Sequence, residues 1–334
     1  MTKWWKPVAT LIAGFLVASA MPQSGIAFGA RTGLDGKLSR SKLSVHLLGG
    51  EYTPGARAIL RAGPPVIKVL HPHRSYIVAM RDYKVRYPKG VIVMRIYTDR
   101  KWTLQDDPAV AADEYWNEVL WPPLSQMSEA DRRLITYLEG PNESHEVPTW
   151  DSPAHARWFG QFWVRMIEHM TQHGFKPNIG SIAVGNPPGG PAEIQTLLAN
   201  FAPALDATLA VGGTWGYHAY TIQYTQDPGV EYWYSLRYRM IRQAMVNVRP
   251  VWGNIKVILT EGGVDDTGDP KNSGWQIRGT QQQFKNWLQW FDQEMQLDPY
   301  VIGCTLFQIG DPWWSSFDVE PIAQWLADYI RSKR

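Results

Sequence analysis

The chain has 334 residues, with 33 Lys and Arg against 31 Asp and Glu for a formal net charge of +2, and no basic run interleaved with aromatics, so no nucleic-acid partner is expected. The single cysteine, Cys304, excludes an internal disulfide framework, and its apolar setting "VIGCTLF" reads as a small buried side chain. The 17 tryptophans ask for more than core filling, because flat indole faces also stack on sugar rings or bases.

In chain order, residues 1–25 come first, "MTKWWKPVATLIAGFLVASAMPQSG". Lys3 and Lys6 give a basic start, Val8 to Ala18 an apolar centre, and Ala18-Ser19-Ala20 a small-residue cleavage site. This is the pattern of a secretory signal peptide, with an uncleaved N-terminal anchor as the alternative. The apolar centre is short for a bilayer, so no stable membrane span is expected. Export of a chain without disulfides suits a secreted or extracytoplasmic bacterial protein.

From residue 40 to 334, short runs rich in Val and Ile recur: 43–50, 66–72, 91–98, 134–140, 178–186, 207–220, 255–263 and 301–311. Each is nearly continuous rather than alternating, which is how a strand buried on both faces reads. Amphipathic segments separate them, among them "PAHARWFGQFWVRMIEHMTQHG", which ends on Gly174, and "PAEIQTLLANFAPAL", with Pro191 at a first turn. Eight strands alternating with helices, and no Gly- or Ser-rich linker, predict a single-domain (β/α)8 TIM barrel. The rival, an open doubly wound sheet, favours a Gly-rich phosphate turn early in the chain, and "LLGGEYTPG" does not fit G-x-G-x-x-G.

In a barrel of this kind the chemistry follows the C-terminal ends of the strands. The fourth run ends in "EGPNE" with Asn142 and Glu143, and the sixth in "WGYHAY" with Trp215, His218 and Tyr220. The seventh ends in "LTEGG" with Glu261, and the eighth leads to Gln308, Asp311, Trp313 and Trp314. A Glu at the tip of a buried strand is costly unless paired or hydrogen-bonded. Two of them on nearly opposite strands would face each other across the barrel mouth, and paired carboxylates around one sugar carbon do glycoside hydrolysis.

These motifs resemble those of the clan A glycoside hydrolases, retaining (β/α)8 enzymes with the acid/base on strand four and the nucleophile on strand seven. The resemblance spans about residues 43–330 and implies Glu143 as acid/base and Glu261 as nucleophile. It also implies Asn142 hydrogen-bonding the sugar 2-hydroxyl, Tyr220 orienting the nucleophile and His218 supporting the site, with carbohydrate as partner and no metal or organic cofactor. Glu143 must begin with a raised pKa, which the charge of Glu261 would supply, while Glu261 stays ionised beside Tyr220 and a cation.

Two departures stand out. The eighth run reads "TLFQIGD" where many clan members carry a Trp, leaving Trp313 or Trp314 as substitutes. The supporting Arg is represented by Arg95 inside the third run, with Lys68 inside the second; Glu261 or Glu139 would be the carboxylate partner of Arg95. Trp102, Trp150, Trp215, Trp275, Trp313 and Trp314 follow strands and are candidates for sugar stacking. Trp158, Trp163, Trp287, Trp290 and Trp325 lie at helical spacing and read as core. Two other functions compete: a metal-dependent hydrolase using His71 and His73 with His218 and Asp311, and a barrel that binds glycans without cutting them.

Overall fold

The computed structural model describes residues 36–334, so the signal or anchor segment 1–25 lies outside the described residues. Eight strands form β1 (Leu43–Leu47), β2 (Val66–Leu70), β3 (Val91–Arg95), β4 (Tyr137–Glu139), β5 (Lys176–Ile182), β6 (Thr214–Thr221), β7 (Lys256–Val264) and β8 (Val301–Ile309). They pair in sequence order, all parallel, and β8 closes on β1 as a (β/α)8 barrel. No described helix is long and apolar enough to cross a membrane.

The near-continuous apolar runs follow from two separate interiors. Outward residues such as Leu43, Val45, Ile67, Val69, Ile92 and Met94 pack beneath the ring of helices. Inward residues Val66, Val93 and Ile258, with Val91, Tyr137 and Ile302, plug the end of the barrel where the strands begin. One pleat further along the same inward faces come His46, Lys68, Arg95 and Glu139, all buried. An apolar plug therefore carries a layer of charge directly above it.

The segment read as a helix after the fourth run runs Pro153–Gln172. Ser152 caps it by accepting the His155 N–H, Pro153 occupies the first turn, and Gly174 follows at φ +82°. Its apolar face, with Phe159, Phe162, Trp163 and Met166, is buried. Two strands are shorter than their runs. β4 begins only at Tyr137, because Leu134 and Ile135 still donate to carbonyls of the preceding helical turn, Asp131 and Arg132. β6 begins at Thr214, because Ala202–Ala210 is helical.

Two register shifts matter for the site. On β5, Ile179 and Ile182 both join the outer core although they are three residues apart. The extra residue lies at Gly180 and Ser181, with φ +99° and +52°. On β7, Leu259 pairs with Tyr217 but Glu261 with His218, so Thr260 is the extra residue. Strict alternation would send Ser181 and Glu261 outward; each bulge turns its side chain into the barrel.

Candidate active site

Glu143 overhangs the C-terminal mouth of the barrel at φ +54°, its N–H bonded to the Ser181 carbonyl at 2.9 Å. Its Oε1 lies 2.7 Å from His218 Nδ1 and its Oε2 lies 3.1 Å from His145 Nε2. Glu261 accepts from the Tyr220 hydroxyl on Oε2 at 2.9 Å and from Lys68 Nζ on Oε1 at 3.3 Å. His46 Nδ1 stands 3.9 Å from the same Oε1.

His218 joins the two carboxylates. Its Nδ1, 2.7 Å from Glu143 Oε1, is also 3.6 Å from Glu261 Oε2. Those two oxygens are therefore separated by no more than the sum of the two distances. One imidazole nitrogen thus brings an oxygen of each carboxylate to the same point of the barrel mouth.

The electrostatics follow from these contacts. Burial pushes the Glu143 carboxyl up, but the hydrogen bonds from His145 and His218 outweigh it and hold the group well below the usual carboxylate range. This is the opposite of the raised value expected from the charge of Glu261. Burial likewise pushes Glu261 up, yet His218 and then Lys68 prevail over the opposing charge of Glu143 and hold it below its ordinary value. Burial, and then the charge of Glu261, push the Tyr220 hydroxyl well up, so it remains a donor. His46 is driven well down by burial and then by Lys68, and neither ring nitrogen has a hydrogen-bond partner among the described residues.

Arg95 does not support the carboxylate pair directly. It stands at the last residue of β3, above Lys68, and bonds Glu146 in the loop after β4 at 2.9 Å, with the Tyr115 hydroxyl on the other Glu146 oxygen. The expected partners Glu139 and Glu261 are both taken by Lys68, at 3.0 and 3.3 Å. Asn142 sits beside the site with its Oδ1 3.4 Å from Ser181 Oγ.

The tryptophans divide. Trp215 alternates with the inward His218 and Tyr220 along β6, so it faces the helix layer, packed on Phe201 and on Trp150, which is itself buried against Phe159 and Phe201. Trp275 stacks on Phe284 at 4.9 Å and donates Nε1–H to the Phe317 carbonyl. Trp102 is buried with Nε1–H on Glu114. These four rings have no face left for a sugar. Trp313 is 65% exposed, with Lys271 Nζ 5.7 Å from its ring centre. Trp314 packs edge-on to Phe307 at 5.1 Å, and Phe307 lies 5.8 Å from the His46 ring. The half-buried aromatic that β8 sets against His46 is thus Phe307.

Sequence reasoning missed Phe307, His46, His145 and Ser181. Of these only Ser181 left a signal, a Gly-Ser pair interrupting the apolar run "NIGSIAVG". His71 Nε2 accepts the Tyr97 N–H, and among the described residues no group of three or more His, Cys, Asp or Glu is placed to hold a metal.

No family model matches the sequence, and no curated protein matches it. Solved structures similar to this chain include a 4-O-α-L-rhamnosyl-β-D-glucuronidase from Fusarium oxysporum, at 11% identity over 88% of this chain and 69% of that one, TM-score 0.49. A glycoside hydrolase family 5 enzyme from Prevotella bryantii aligns at 10% identity over 84% and 88%, TM-score 0.48. A glycoside hydrolase family 17 β-1,3-glucanosyltransferase from Rhizomucor miehei aligns at 11% over 84% and 92%, TM-score 0.45. At such values the likeness concerns the course of the chain alone.

Proposed function

We propose that the protein is a retaining glycoside hydrolase, with Glu261 as nucleophile and Glu143 as acid/base, exported by its N-terminal segment. The observation that carries this reading is the single His218 nitrogen within 3.6 Å of both carboxylates, a closeness that supports double displacement over inversion. Glu261 attacks the anomeric carbon while Glu143 protonates the departing oxygen. Glu143 then removes a proton from the water that releases the sugar. Lys68 and Tyr220 keep Glu261 ionised and aimed. The depressed pKa of Glu143 belongs to the ligand-free site. His145, whose side chain is 71% exposed, supplies its strongest lowering contact, and a sugar entering the mouth would displace it. Burial then pushes the carboxyl up, as an acid requires. Trp313, Trp314 and Phe307 would carry the sugar face, and Asn142 would bond its 2-hydroxyl.

The test is reducing-sugar release from a panel of β-glucans, mannans, xylans and cell-wall polymers, with the anomer of the first product read by NMR. Retention of configuration is expected, and Glu261→Gln should lower turnover by about three orders of magnitude or more while the protein stays folded. Binding to a member of the panel with no release from any would make the protein a glycan-binding barrel instead.

A further inference from the structure

Ser181 occupies a place that the glycosidase reading does not use. The β5 bulge holds it at φ +52°, against the outward course that alternation would give it, and its hydroxyl then lies among polar groups inside the barrel. It is 3.1 Å from His218 Nε2 and 3.4 Å from Asn142 Oδ1, and it donates to the buried Glu139 in the closest of these contacts. Glu139 in turn accepts from Lys68 Nζ at 3.0 Å.

The proton inventory of this chain of contacts is constrained. A hydroxyl has one proton, a carboxylate has none to give, and an amide oxygen only accepts. Glu139 and Asn142 both present acceptors to Ser181, and Glu139, fully buried and ion-paired with Lys68, is the stronger of them. If the Ser181 proton goes to Glu139, the contact at 3.1 Å is satisfied only when His218 carries a proton on Nε2 and donates it to Ser181 Oγ. One further proton then lies in the 2.7 Å contact between His218 Nδ1 and Glu143 Oε1.

We propose that Ser181 and Glu139 are positioning residues that fix His218 with a proton on Nε2, so that its Nδ1 and Glu143 Oε1 share the one proton that the acid delivers. This rests on the reading of Glu143 as acid/base. In the first half-reaction the shared proton passes to the glycosidic oxygen as its bond to the anomeric carbon breaks and Glu261 bonds that carbon. In the second, water bonds the carbon, the Glu261 ester bond breaks, and the proton lost by the water returns to the Glu143–His218 pair. The balance closes over one turnover, with hydrolysis as the net change. The Ser181 carbonyl, holding the Glu143 N–H, ties the same residue to the backbone position of the acid.

Imidazole protonation in the resting protein is read from nitrogen–proton correlation spectra of protein labelled with 15N-histidine, with His218 assigned by its loss in His218→Gln. The expected pattern shows His218 Nε2 protonated in the wild type and the Nδ1–H tautomer in Ser181→Ala. Ser181→Gly, which suits the positive φ, is the second variant should Ser181→Ala not fold. A bare Nε2 in the wild type, or a pattern unchanged in the variants, overturns the proposal. This measurement needs no substrate, so it stands or falls separately from the glycosidase reading, which fails if the polysaccharide panel is not cut. The catalytic consequence is read on dinitrophenyl and phenyl glycosides of the sugar that the panel identifies. Ser181→Ala should lower kcat/KM, which reports the first half-reaction, about tenfold or more for the phenyl glycoside, and leave it within about twofold for the dinitrophenyl glycoside, which departs without a proton. An equal loss on both substrates would reduce Ser181 to a structural role and overturn the proposal.

Discussion

The charges at the mouth of the barrel decide which residues can be tested singly. The His145 side chain bonds the outer oxygen of Glu143 and is itself largely exposed, so truncating it disturbs little of the core. Glu143 is held down by its two imidazole partners against the upward push of burial. Taking one partner away therefore raises its pKa, and the acid form persists to higher pH. His145→Ala should move the basic limb of the kcat/KM profile upward, as measured across pH on an aryl glycoside; a limb that stays in place would remove His145 from control of the acid. Lys68 is the opposite case. It is fully buried between Glu139 and Glu261, and its loss leaves two carboxylates without their cation. Lys68→Met should cost about 3–5 kcal/mol in urea unfolding. A loss under about 1 kcal/mol would show that the two carboxylates find other partners.

At the scale of elements, the two bulges deliver Ser181 and Glu261, and the β5 bulge depends on Gly180. A Cβ there would come 2.9 Å from the Gly216 carbonyl oxygen, at φ +99°. Gly185 shares a positive φ, +86°, but a Cβ there meets nothing within 4 Å. Gly180→Ala should therefore destabilise by more than Gly185→Ala, the latter costing about 1 kcal/mol for strain alone. Only Gly180→Ala should also lower turnover, because it displaces Ser181. Equal losses in denaturation and equal rates would mean that the bulge tolerates the methyl group. The same bulges explain what could be read from the sequence. Strands were legible because burial on both faces writes Val and Ile continuously, and Glu143 and Glu261 were legible because a carboxylate at the tip of such a run has no apolar excuse. His46 was not, since one polar residue in an apolar run gives no sign of which face it takes, and the Gly-Ser pair that marked Ser181 gave no sign of a register shift. Trp150, Trp215 and Trp275 misled for a related reason. Lying after a strand, or near its end, does not fix direction, and alternation along β6 sends Trp215 outward once His218 is known to point in.

The whole molecule depends on the chain's two described ends meeting, because only the pairing of β8 with β1 leaves the sheet without an exposed edge. The closure is built from more than the β1–β8 ladder. Lys42, just before β1, gives its N–H to Asp292 and its Nζ to the Val301 carbonyl, and its own carbonyl accepts from Cys304. On the outside, Glu320 accepts from the Thr53 hydroxyl and the Gly55 N–H, both at 2.7 Å. Thr53 is also the cap of the first helix, Pro54–Ala62, which packs on the last, Ala323–Ser332. One carboxylate thus staples the start of the helix ring to its end. Glu320→Ala removes two hydrogen bonds, one of which orients a helix cap, and should cost about 1–3 kcal/mol. The site lies in the barrel mouth and not in this outer seam, so turnover should stay within about twofold of wild type. Since closure binds all eight strands into one unit, the loss should shift a single unfolding transition to lower urea with its slope unchanged, whether followed by tryptophan fluorescence or by far-ultraviolet circular dichroism. If the two signals separate in the variant, the ends open before the rest of the barrel, and closure is a local contact rather than the step that completes the fold.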